Sequence, residues 1–187
     1  GLEFEGSCLL RSDALGWAVA ERQPAMIQGT MMRRAAFMSI GGFWPALSSR
    51  HDTHFFYFVF ATYPACAVAG PTVRMTADEN VGNRLTGGSG NRSQRYWECT
   101  IRLYRDVLHR RSNTDERTVA HNLLCRGHKR LARAQWADGE RAASLLSSLR
   151  GIGTSPTGFL LSFLPGGRLP PRVRRARERL VGLTVGG

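Results

Sequence analysis

Cys99-Thr100-Ile101-Arg102-Leu103-Tyr104-Arg105-Asp106-Val107-Leu108-His109-Arg110-Arg111 is the stretch whose reading decides the fold. Trp97, Ile101, Tyr104 and Leu108 recur at i, i+4, i+7 and i+11, the spacing of one buried stripe on an α-helix. Arg102, Arg105 and His109 fall to one side of that stripe. The helix therefore pairs an apolar face, with a tyrosine in it, with a cationic one. Nothing in it resembles a catalytic constellation. It reads as a docking helix.

Two more helices follow. Ser112-Asn113-Thr114 is a turn, and Asn113 with Glu116 three residues on makes a capping pair. The second helix runs from about Asp115 to Trp136, with Ala120, Leu123, Leu124, Gly127, Leu131 and Ala134 expected inward. Arg126, Lys129, Arg130 and Arg133 form a cationic band on another face. Asp138 is the expected N-cap of a third helix, striped by Ala142, Leu145, Leu146 and Leu149 and ending at Gly151. Connections this short make neighbours antiparallel, so residues 94–152 are expected to form a three-helix bundle in a mostly α-helical chain.

The flanks are less regular. Residues 153–187 combine a Gly/Pro-rich segment around Phe159-Leu160-Leu161-Ser162-Phe163-Leu164 with a basic helix or tail from Arg172 to Leu183. The apolar core of that segment reads as packing or as a short helix docked on the bundle or on a neighbour. Residues 1–93 are expected to be an irregular N-terminal extension. Within them, Phe55 to Ala69 carries no charge, is interrupted by Pro64 and falls short of the ~20 residues of a spanning helix. Three readings stand: a buried strand or core segment, an element packed in a larger assembly, and a short kinked membrane helix. The aromatic and β-branched start favours something extended or buried. Asn80 to Ser93, rich in Gly and Asn, marks a linker and the domain boundary.

Charge is uneven. Residues 1–93 hold eight arginines against seven acids, +1, whereas residues 94–187 hold eighteen cations against seven acids, +11. An anionic partner therefore meets the second half: RNA, lipid headgroups or an acidic protein. Lys129 is the only lysine, so the other 25 cations are arginines, suited to bidentate contacts or simply the mark of a GC-rich genome. The stretch from Arg22 to Arg74 has Asp52 as its only acid, which fits a mitochondrial presequence or a basic loop region. Gly1 either follows a cleaved targeting peptide or begins part of a longer chain.

Several chemistries are disfavoured. Cys8, Cys66, Cys99 and Cys125 are widely spaced, without a C-x-x-C pair or His/Cys cluster, so no metal site or disulfide framework is expected and a reducing compartment fits best. His109, His121 and His128 lie among cations, a poor setting for a general base. The glycines between residues 82 and 90 lack the Gly-Lys-Ser/Thr of a phosphate loop. An enzyme is not expected.

Leu103-Tyr104-Arg105, inside an amphipathic helix opening a three-helix unit, resembles the LYR-motif proteins of mitochondria over about residues 95–152. Arg126 to Gln135 stands where that family has a phenylalanine–arginine cluster, with Leu131 in place of the phenylalanine. Trp136 to Glu140 stands for the acidic turn before its third helix. The resemblance implies binding of mitochondrial acyl carrier protein, whose 4'-phosphopantetheine-linked acyl chain inserts between the helices; no cofactor is bound directly. It further implies an accessory subunit or assembly factor on the matrix side of the inner membrane, with a respiratory complex, complex I favoured, as the assembly. On this reading Arg102, Leu103, Tyr104, Arg105, Arg126, Lys129, Arg130 and Arg133 meet the carrier protein. Ile101, Leu108, Ala120, Leu123, Gly127, Leu131, Ala142 and Leu146 line the acyl seam. Alternatively the small residues only allow close helix packing and the arginines are a solvated face. The rival function is an RNA-contacting accessory protein of the mitochondrial ribosome, which the +11 half and the Arg172–Arg179 tail would suit.

Overall fold

The computed structural model describes residues 3–5, 8–11, 14–16, 27–68, 93–161 and 170–182. The chain is mostly helical. Its elements are strands β1 (Glu3–Glu5) and β2 (Cys8–Arg11), a 3-10 turn (Ile27–Gly29), helices α1 (Arg34–Ser39) and α2 (His51–Thr62), and strand β3 (Ala65–Val68). Helices α3 (Gln94–Arg110), α4 (Thr114–Ala137), α5 (Arg141–Thr154), α6 (Pro156–Leu161) and α7 (Pro171–Gly182) follow. Two compact units are formed: Gly1–Ala46 with His51–Val81 and Arg177–Gly187, and Leu47–Arg50 with Gly82–Ala176. The Asn80–Ser93 linker lies outside the described residues up to its last position, as do Ser162 to Leu164 of the apolar C-terminal segment.

The first unit corrects the expected irregular extension. Its strands form an antiparallel sheet in the order β1-β2-β3, with Glu3 opposite Leu10, and Cys8 opposite Val68 and Arg11 opposite Ala65. The uncharged run from Phe55, expected to be extended or buried, begins as a buried helix and continues after Pro64 as strand β3, in which half-buried Ala65 and Ala67 alternate with exposed Cys66 and Val68. His54 to Phe58 and Phe60 are all inside. A helix covered on nearly every side needs no polar stripe, so its sequence carries no 3.6-residue period to read. Phe55, Phe56 and Phe60 build the core with Ala14, and Phe37 and Phe43 pack on Phe55 at ring separations of 5.2 and 4.9 Å. Among the described residues no helix is long and apolar enough to cross a membrane.

In the second unit α4 packs against α3 on one side and α5 on the other, and α6 rests on α4 and α5. Local signals set the helix ends. Ser93 caps α3 by accepting from the Tyr96 N–H at 3.3 Å. Asn113 caps α4, its side-chain oxygen accepting from the N–H groups of Asp115 and Glu116 at 2.9 and 3.1 Å. Asp138 is not the N-cap of the third helix: it ends α4, Gly139 follows at φ +83°, and Glu140 precedes α5 without a side-chain cap bond. The Asp138 carboxylate instead accepts from Gln94 Nε2 at 2.8 Å, fastening the α4–α5 turn to the start of α3. Helix α5 also runs one turn beyond Gly151.

Helices α3 and α4 are antiparallel. Gly127 sits against Thr100 and Ile101, while Arg117 near the start of α4 donates to the carbonyls of Leu108 and Arg111 at the end of α3. A Cβ at Gly127 would come within 3.2 Å of Ile101 Cγ1, so glycine permits the close crossing. Helix α5 returns along α4, with Ser144 bonded near Ala132 and Gly151 beside His128.

Candidate functional site

Helix α3 buries a wider face than its period foretold. Cys99, Thr100, Ile101, Leu103, Tyr104 and Val107 are inside, and Trp97 and Leu108 are half-buried. Arg102, Arg105 and His109 are exposed as one stripe. Asp106 on this helix is neutralised by Arg110, whose Nε lies 3.0 Å from its Oδ1.

Leu103 and Tyr104 are therefore interior residues, not surface contacts. Arg50, far upstream, reaches over Tyr104 and its neighbours on α3. Arg50 Nη1 donates to Thr100 Oγ1 at 3.1 Å, and its guanidinium lies 5.3 Å from the Tyr96 ring centroid and 5.9 Å from that of Tyr104. Ser48 Oγ accepts from Arg95 Nε at 2.6 Å. Arg50 holds φ +60°, a left-handed conformation that costs a non-glycine residue about 1 kcal/mol or more and persists where contacts over-determine it. Here the contacts to Thr100, Tyr96 and Tyr104 supply that. No local signal in residues 47–50 announces this role, because it depends on a partner some fifty residues away.

Helix α4 divides the predicted cationic band. Arg126, Arg130 and Arg133 are exposed at i, i+4 and i+7, and residues 117–137 contain no acid. Lys129 is only 7% exposed and belongs to the interior side of the helix. Burial, then Arg133, Arg130 and Arg126, hold its amine below the ordinary lysine range. Arg130 reaches back to α3, its guanidinium 5.9 Å from the Trp97 ring centroid. The basic stripes of α3 and α4 thus lie on neighbouring antiparallel helices. Arg102, Arg105, Arg126, Arg130 and Arg133 remain as exposed candidates for an anionic partner.

The proposed acyl seam is split. Ile101, Ala120, Gly127 and Leu131 are buried, Leu108 and Leu123 half-buried, and Ala142 and Leu146 exposed. Ile101 already fills the space beside Gly127. The third helix is turned the other way from the expectation. Ser144, Ser147 and Gly151 face inward, and Leu145, Leu146 and Leu149 outward. Ser144 Oγ donates to the Ala132 carbonyl at 2.8 Å, and Ser147 Oγ donates to Gln135 Oε1 at 2.7 Å. Small side chains that satisfy their own hydroxyls let α5 approach α4 closely, a gain the leucines could not match in that seam. The signal was the i, i+3, i+7 spacing of Ser144, Ser147 and Gly151, opposite a more conspicuous leucine stripe.

Beside Gly151 lies His128, fully buried, with neither ring nitrogen hydrogen-bonded. Burial, aided by the Arg105 and Arg150 charges, pushes its pKa down to about 4. Cys125, one turn earlier, points its Sγ toward the carbonyls of Gly151 and Ser155 at 3.6 and 3.8 Å, and burial raises its thiol to about 11. A neutral imidazole and a protonated thiol in a dry seam are packing groups, without an orienting partner for acid–base work. No group of three metal-ligating side chains occurs among the described residues.

Comparison with protein-family models, with characterised proteins and with solved structures finds no match to this chain.

Proposed function

We propose that this chain is a non-catalytic accessory subunit or assembly factor of a mitochondrial respiratory complex, complex I first, acting on the matrix side of the inner membrane. In this reading α3 and α4 dock an acyl carrier protein. One observation supports it above others: Arg102 and Arg105 on α3 and Arg126, Arg130 and Arg133 on α4 are all exposed on adjacent helices. An acidic partner meets such a surface with charge-assisted hydrogen bonds and is steered to it before contact. The LYR-like Leu103 and Tyr104 act from inside, setting the position of Arg102 and Arg105 rather than touching the partner. The carrier's 4'-phosphopantetheine acyl chain enters the interior only if α3 parts from α4 at Gly127, where Ile101 now packs.

The test is a calorimetric titration of the chain with holo-acyl carrier protein at low and high salt. Arg105→Glu with Arg130→Glu is expected to weaken binding by at least about tenfold and to flatten its salt dependence. Circular dichroism should be unchanged, since both side chains are exposed. Equal affinity in the native and doubly substituted chains overturns the proposal. Retention on polyuridylate that is lost with the same two substitutions, without carrier binding, selects the ribosomal reading instead.

A further inference from the structure

His128 is a buried polar side chain that the packing leaves unanswered. It is 2% exposed, and neither ring nitrogen has a hydrogen-bond partner among the described residues. The charges that act on it are both cationic, Arg105 of α3 and Arg150 of α5. Its own helix adds the Cys125 thiol one turn earlier and Lys129 next in sequence, and α6 carries no ionisable side chain. No carboxylate is among these neighbours. A neutral imidazole fits such a place. An imidazolium there has no acceptor, no counter-charge and no water.

The wall nearest to giving way is α6. It has six residues, too few to stay helical without packing. Pro156, Thr157 and Leu160 are exposed, and Gly158 and Phe159 are buried. The Phe159 ring fills the notch that Gly151 leaves by lacking a side chain, and His128 Cβ borders the same notch. The other walls are better fastened. Ser144 and Ser147 bond α5 to α4, and Arg117 and Gln94 tie the two ends of α3. Local opening takes the element with the fewest such ties.

We propose that α6 is an acid-released latch: protonation of His128 expels Phe159 from the Gly151 notch and lifts α6 away while α3, α4 and α5 stay folded. The closed form holds His128 down to about 4 through burial and its two cations, against 6.5 for an ordinary imidazole. Closure is therefore complete above pH 6.5 and is lost as pH falls below it. The open-to-closed ratio rises by up to about thirtyfold between pH 7.5 and pH 5. This device goes beyond carrier docking and does not rest on it.

Three cysteines of the full chain read the latch. Cys125 points its Sγ at the carbonyls of Gly151 and Ser155, where α6 begins. Cys99 is buried on α3 beside Ser48, and Cys66 is exposed. Pulse labelling with 4,4'-dithiodipyridine, which reacts with thiols at acid as well as neutral pH, is followed by peptide mass spectrometry. With the Cys66 rate correcting for the reagent, Cys125 labelling is expected to rise about thirtyfold from pH 7.5 to pH 5 while Cys99 stays protected. His128→Leu should abolish the rise. Phe159→Ala should expose Cys125 already at pH 7.5. Arg150→Glu, at an exposed position, supplies a counter-charge without disturbing the core and should cut the rise at least about twofold. Labelling of Cys99 in step with Cys125 means global unfolding and overturns the proposal. So does a Cys125 that stays protected at pH 5, or a rise that persists unchanged in His128→Leu and Arg150→Glu.

Discussion

Replacing Gly151 by Ala tests the close approach of α5, α6 and α4 directly. A Cβ at Gly151 would stand 2.6 Å from both Cδ2 and Cε2 of Phe159 and 3.2 Å from Cβ of His128. Phe159 is buried, and its ring has no free end to swing away. Overpacking of this kind costs roughly 1–3 kcal/mol. Alanine recovers up to about 1 kcal/mol of helix propensity, less in a last turn. The net expectation is a loss of about 1–2 kcal/mol, seen as a fall in Tm of roughly 2–8 °C for a chain of this size. Gly153→Ala is the matched control, because it lies in the same turn with nothing within 4 Å of its added methyl. It should be neutral or stabilising. Thermal and urea unfolding of the two variants checks the pair. If Gly151→Ala is as stable as Gly153→Ala, the packing of Phe159 on α5 is wrong.

Other outcomes follow from the same geometry. His128, held down to about 4 by burial and by Arg105 and Arg150, takes up its proton in the unfolded chain first as pH falls from 6.5. Stability is therefore full above pH 6.5 and falls by on the order of 3 kcal/mol as pH drops toward 4; His128→Leu should flatten that part of the urea-midpoint profile. His121, also lowered by burial and by Arg117, adds in the same direction. Arg111→Ala removes the fork that meets the buried Glu116 carboxylate at 2.7 and 2.9 Å, and should cost about 3 kcal/mol in urea unfolding at neutral pH. Asn113→Ala removes the α4 cap and should cost about 1 kcal/mol, with Asn113→Asp retaining most of it.

What the sequence determined by itself was local. The existence of three successive helices in residues 94–154 follows from their periodicity, and the start of α4 from Asn113, which acts on backbone groups two and three residues away. The cationic stripe of Arg102, Arg105 and His109 was legible for the same reason: a helix fixes which residues share a side. The sheet was not legible, since the pairing of Ala65–Val68 with Cys8–Arg11 spans more than fifty residues and β3 has no polar alternation to betray its faces. Nor was the covering of Tyr104 by Arg50. The deepest change concerns α5. Hydrophobicity alone points Leu145 and Leu149 inward, but only the tertiary structure decides which face wins. There, two satisfied serine hydroxyls and a glycine let α5 lie close on α4, with Phe159 and His128 around Gly151. The leucines are left to solvent because the close seam has room only for small side chains.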